Sequence, residues 1–155
     1  MSVCTVSYGT IASVAITLTS LAAKAGRESA VINNTTNKAT DAMLQAVFYT
    51  GTPSSDSCVY VYFGGSMDGV HYETPLTGAD AACNVPSNST LRGPWVIPTP
   101  SNNFSTYSAT TFVCNFFGGT LPPKWSFLVN NEMNVSMADT ANTSWAYLPI
   151  WMSAS

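Results

Sequence analysis

The chain has 155 residues, of which 46% are hydrophobic and only 8% charged, with a net charge of −3 at pH 7. That length makes one domain, large enough to bury a core without help from a metal or a disulfide. Five scattered basic residues exclude the basic patch of a nucleic-acid binder. No apolar run is long enough to cross a bilayer, so no membrane partner is expected. Polarity comes from Ser, Thr and Asn. Surfaces poor in Lys and Glu are typical of interface cores, and a free monomer usually carries more charge. Much of this surface is therefore expected to be covered in an assembly.

In chain order, residues 1–8 lack a strong period and read as an N-terminal arm, and residues 9–155 as a single domain. The apolar run 11–23 resembles a signal peptide only superficially, because no positive charge precedes it and Thr and Ser interrupt it. It reads as a first strand over 10–21, with Val14, Ile16 and Leu18 on one face and Ala15, Thr17 and Thr19 on the other. Residues 26–50 read as a hairpin: a strand through Ala30, Val31 and Ile32, a turn at Asn33–Asn37, and a strand over 43–50 that is apolar on both faces and so central in a sheet. Residues 51–57 are a loop. Cys58 to Phe63 is a strong strand, with Val59, Val61 and Phe63 facing one way and Tyr60 and Tyr62 the other. Asp68-Gly69 signals a hairpin whose return strand is 70–73.

From Pro75 to Asn103 the prolines and glycines exclude long elements, leaving one short strand at 91–97 around Trp95. Such a long irregular segment is commonly functional or interface-forming. Further strands are expected at 107–117, at 125–130 with Trp125, Phe127 and Val129 on one side, and at 144–152, with 133–137 continuing or pairing back. A tight bend is expected at 118–123, and short helical turns near 79–82 and 138–142. The sum is an all-β, single-domain antiparallel β-sandwich, jelly-roll-like, of about eight strands.

Three of the five basic residues (Lys24, Arg27, Lys38) and the acids Glu28 and Asp41 lie in or beside the 26–50 stretch. Here Gly26-Arg27-Glu28-Ser29-Ala30, followed by Asn34-Thr35-Thr36-Asn37-Lys38 and Asp41, resembles a signature of small structural proteins of tailed bacteriophages. Phe117-Gly118-Gly119-Thr120-Leu121-Pro122-Pro123-Lys124-Trp125, running into Phe127-Leu128-Val129-Asn130-Asn131, resembles the C-terminal half of the same family. Order and spacing agree from about Gly26 to Trp151. The four cysteines and a shortened segment ahead of Gly26 depart from that pattern. The resemblance implies a β-rich virion protein, assembled in the host cytoplasm, without specifying its place in the particle.

No catalytic motif stands out. His71 is the only histidine, with Asp68 and Glu73 close in sequence, and it reads as exposed or capping. No nucleophile elbow, phosphate loop or zinc pattern occurs. Asp68, Asp80 and Asp139 lack the spaced carboxylates of a calcium loop. No cofactor and no metal are therefore expected. The Asn-X-Ser/Thr sequons, for example at Asn88, Asn103, Asn134 and Asn142, follow from the Asn/Thr-rich composition. Cys4, Cys58, Cys83 and Cys114 allow three pairings, among which the sequence does not choose, and buried free thiols are the plainer reading. Cys4 on the arm is the best candidate for a bridge to a neighbour. Tyr60, Tyr62 and Tyr72 could form an aromatic stripe that suits a protein interface or a sugar. Arg27, Glu28 and Lys38 join these tyrosines as candidate interface residues.

The expectation is a non-enzymatic virion protein of a tailed phage: a capsid decoration or cement protein on the major capsid protein, itself a homo-oligomer, with a trimer as the guess. The alternative is a collar, tail or fibre component that binds glycan through the tyrosines. A third reading, a secreted hydrolase or lectin, needs a signal peptide that the first ten residues do not supply.

Overall fold

The computed structural model describes residues 3–100, 105–138 and 143–154. These residues form eleven strands: β1 Cys4–Tyr8, β2 Ala12–Ser13, β3 Gly26–Glu28, β4 Ile32–Asn33, β5 Asp41–Tyr49, β6 Cys58–Ser66, β7 Ala81–Ala82, β8 Arg92–Pro98, β9 Thr106–Phe112, β10 Lys124–Asn131 and β11 Ser144–Ala154. One short 3-10 helix, Val113–Phe116, follows β9, and there is no α-helix among the described residues. The first sheet has the order β1-β11-β5-β9, with β2 beside β11. The second has the order β7-β3-β10-β6-β8, with β4 beside β10. All pairings are antiparallel. β2, β4 and β7 are two residues each. Without them, the first strand pairs with the last, β3 with β10, β5 with β9 and β6 with β8. That rolled-up pairing is the jelly roll the strand spacing suggested.

The core lies between the sheets. Leu44, Ala46 and Phe48 of β5 alternate inward at 0% exposure, against Val59, Val61 and Phe63 of β6. Phe127 stacks on Trp145 across the gap with ring centroids 5.2 Å apart, and Trp125 meets Tyr147 edge-on at 5.8 Å. Each such buried side chain contributes roughly 1.5–3 kcal/mol over leaving it in water. β10 is buried on both faces from Trp125 to Val129, as expected for the centre of a sheet.

Several expectations need correction. The 26–50 stretch is not a hairpin. β3 and β4 pair with β10, whereas β5 pairs with β11 and β9 in the other sheet. The turn between them is closed by buried Asn34, whose amide donates to and accepts from the Ala39 backbone. Adjacency in sequence gave the turn and β5, but not the break at 29–31 that splits the strand expected through Ala30 and Val31 into β3 and β4, nor the partners of these strands. β5 is central, yet its second face (Met43, Val47, Tyr49) is only half-buried. Residues 14–21 keep the expected alternation, with Leu18 buried, but form no ladder. Val14 bonds to Trp145 of one sheet and Ala15 to Ala30 beside the other, so the segment closes the side of the sandwich.

The return strand at 70–73 is absent. β6 runs on to Ser66 and the chain then bends around the Asp68 carboxylate, which accepts the Val70 and His71 amides. β9 stops at Phe112 because the Cys114 amide bonds to the Asp41 carboxylate and the chain coils. The turn expected near 79–82 is β7, and 139–142 lie outside the described residues. The strand around Trp95 and the last strand fall where expected.

The irregular segment acts as a strap. Leu76 is buried, and with Leu91 it occupies the space above Gly64 on the outer side of β6. Residues 73–82 cross the outer side of the second sheet, which explains why Ser126, Leu128 and Glu28, all on that face, are 0–1% exposed.

Candidate assembly surface

The two outer faces of the sandwich differ sharply. The outer face of the second sheet is covered by the strap over β3, β10 and Gly64 of β6, although Val96 beside Tyr60 stays exposed, and ion pairs gather about this sheet. Arg27 pairs with Asp80 at 2.6 Å, Arg92 with Glu73 at 2.7 Å and Lys24 with Glu132 at 2.8 Å. The strands of the first sheet carry one charged residue, Asp41, and it is buried. Its outer face has no strap among the described residues. Cross-strand register places Phe112, Met43 and Leu148 in one row, and Thr110, Gln45 and Ala146 in the next. Phe112 is 45% exposed and Ile11, beside this face, 70%.

β1 extends this surface. β11 runs past β5, whose pairing ends at Ile150, and β1 accompanies it to Cys4. All five residues of β1 are exposed. Val6, paired with Met152, and Tyr8, paired with Ile150, share the outer side with Leu148 by strand alternation. On the inner side Gly9 packs under Trp151, where a Cβ would lie 2.7 Å from the indole ring. The register shifts by one residue between β1 and β2 at this point.

The candidate residues named from sequence are placed as follows. Glu28 is buried. Its carboxylate accepts both the amide and the hydroxyl of Thr77 and the amide of Gly78, so it holds the strap and is not an interface residue. Arg27 is half-buried and committed to Asp80. Lys38 is exposed, with a left-handed φ of 49° in the turn before β5. Tyr60 and Tyr62 are half-buried neighbours on β6, edge to face at 6.3 Å. Tyr72 does not extend their stripe, because it sits off the strand with its ring against Gly78.

All four cysteines are free. Cys4 is exposed and Cys58, Cys83 and Cys114 are half-buried, so no bridge forms within the chain and the four thiols are not all buried. Burial pushes the Cys114 thiol up to about 11, helped by the Asp41 carboxylate. His71 is exposed, as read, and its ring meets Asp68 at 2.7 Å. Hydrogen bonds from the His71 amide, its ring and the Val70 amide hold Asp68 well below the usual carboxylate range. Among the described residues no three His, Cys, Asp or Glu side chains converge as a metal site would require.

The sequence reading missed Val6, Tyr8, Ile11, Phe112 and Met152. Their signal was present as four charge-free runs, 1–23, 42–55, 93–123 and 140–155. These supply every strand of the first sheet save Asp41 at the start of β5. No family model matches the chain, and no curated protein matches it.

Proposed function

We propose that this chain is a non-enzymatic structural component of a tailed-phage virion. Within the particle it acts as a capsid decoration or cement protein that stabilises the head shell by docking on the major capsid protein. The observation that carries this reading is the outer face of the first sheet, which is open from Met43 and Phe112 to Val6 and Met152 and carries no charge except Asp41, buried at one end beside Ile150. Such a face joins another protein without desolvating charge, and its exposed apolar side chains supply the driving force. Jelly rolls serve as viral capsid domains but also as lectins, so the fold alone does not choose. The sequence resemblance favours the virion.

The second reading is a collar, tail or fibre component that binds glycan, and it rests on the Tyr60–Tyr62 pair. Quantitative mass spectrometry of purified particles separates the two. A copy number about equal to that of the major capsid protein, or a simple fraction of it, is expected of a lattice-forming cement. A handful of copies per particle places the chain at the collar or tail, and absence from particles refutes the virion role. Sugar binding that is lost in Tyr60→Ala supports the second reading.

A further inference from the structure

The Gly9 amide donates to the Pro149 carbonyl. Residues 9 and 149 therefore form a hydrogen-bonded pair, and by alternation so do 7 with 151 and 5 with 153. The backbone N–H and C=O groups of Cys4, Val6 and Tyr8 then point away from β11, to the open edge of the sheet. No strand among the described residues pairs with that edge.

Sheet edges are normally protected against pairing by charge, proline, bulges or brevity. The second sheet follows this rule. β8 carries Arg92, Pro94 and Pro98, and β7 has only two residues. β1, Cys-Thr-Val-Ser-Tyr, has neither charge nor proline. Beyond Ile150 it forms with β11 a two-stranded ribbon, an arrangement that is marginal in water on its own. Val6, Tyr8 and Met152 on this ribbon are 49%, 65% and 52% exposed. β9, the opposite edge, is also uncharged but presents mainly hydroxyl side chains, which water satisfies.

We propose that β1 pairs antiparallel with β1 of a second copy of this chain, across a two-fold axis at Val6. In this register Val6 lies opposite the partner's Val6, and Cys4 opposite the partner's Tyr8, each pair exchanging both of its backbone hydrogen bonds. Every outward polar group of β1 is then satisfied, no like charges meet, and the two outer faces join into one apolar surface. The two-fold closes on itself, so this contact does not build the trimer guessed from sequence. The strand edge is small beside the ~800 Å² per partner of a standard interface, which makes the dimer weak and concentration-dependent in isolation. The inference rests on the assembly reading, for which it names one partner, but it is tested on purified chain. Its failure would leave the particle copy number untouched.

The test is sedimentation velocity of the full chain over a wide concentration range. A monomer–dimer equilibrium is expected. Val6→Pro removes an outward N–H and no bond to β11, so it should weaken the dimer by at least about tenfold with an unchanged melting temperature. Val6→Lys, at a half-exposed position that tolerates it, should do the same by placing like charges at the axis. In a Cys4→Ser background, Val6→Cys should cross-link under mild oxidation. Cα atoms of such a pair are ~5.5 Å apart, within disulfide range. The native Cys4 residues, offset by about 14 Å along the strands, should not cross-link. A chain that is monomeric throughout, growth beyond the dimer, self-association indifferent to both Val6 variants, or cross-linking through Cys4 overturns the proposal.

Discussion

Replacing Glu28 should release the strap and destabilise the fold. The side chain is 1% exposed, and no Lys or Arg among the described residues pairs with it. Its stability rests on donors: the Thr77 amide at 2.9 Å to both oxygens, the Thr77 hydroxyl at 3.0 Å and the Gly78 amide. Hydrogen bonds to a charged group contribute ~1.5–3 kcal/mol each, against ~0.5–1.5 for neutral ones. Glu28→Gln keeps the shape and one acceptor and loses the charge assistance of two amides, about 2 kcal/mol in all. Glu28→Ala leaves the half-buried Gly78 amide without an acceptor, at about 2 kcal/mol. The Thr77 amide, on an exposed residue, can turn to water and costs about 1 kcal/mol. At ~2–4 °C per kcal/mol for a chain of this size, the melting temperature should fall by about 6 °C for Gln and about 9 °C for Ala. Calorimetry reads these shifts, and amide exchange at Thr77 and Gly78 should quicken ahead of the core strands. Removing a desolvated carboxylate works in the opposite direction. A Glu28→Gln protein as stable as the parent would mean that desolvation offsets what the donors contribute, and the account of the strap would be wrong.

Two further outcomes follow from single groups. Burial raises the Asp80 carboxyl, but hydrogen bonds from Arg27 and Thr17 outweigh it and hold it below its ordinary value. A carboxylate depressed in the folded state contributes stability above its unfolded pKa and loses it as pH falls through the folded one. The urea midpoint of the parent should therefore exceed that of Asp80→Asn at neutral pH and converge with it below about pH 4; a constant gap across that range counts against the ion pair. With its thiol pushed up to about 11, Cys114 should alkylate far more slowly than exposed Cys4 at mildly alkaline pH. Peptide mass spectrometry gives the order, and faster labelling of Cys114 would contradict its placement against Asp41.

Local pattern fixed much of this fold before any tertiary contact was considered. Strict alternation from Val59 to Phe63, the apolar run through Trp125 and Val129, and the prolines around Trp95 each act on the chain within a few residues. The strand class, its inward faces and the interruptions all follow from them. Pairing is a different matter, because hydrogen bonds between strands carry no sequence label. The 26–50 stretch looks like a hairpin, and only the approach of β10 and β11 shows that its halves belong to opposite sheets. Glu28 looks like surface for the same reason, since the strap that buries it arrives from some fifty residues away. The sequence by itself determined a charge-poor, two-layered β protein with its core side chains alternating inward. Only the tertiary structure decided that four distant charge-free runs converge on one sheet while most of the charge among the described residues gathers about the other. Rolling first strand onto last is a long-range act, and among the described residues that act leaves the outer face of the first sheet largely open and the β1 edge unpaired.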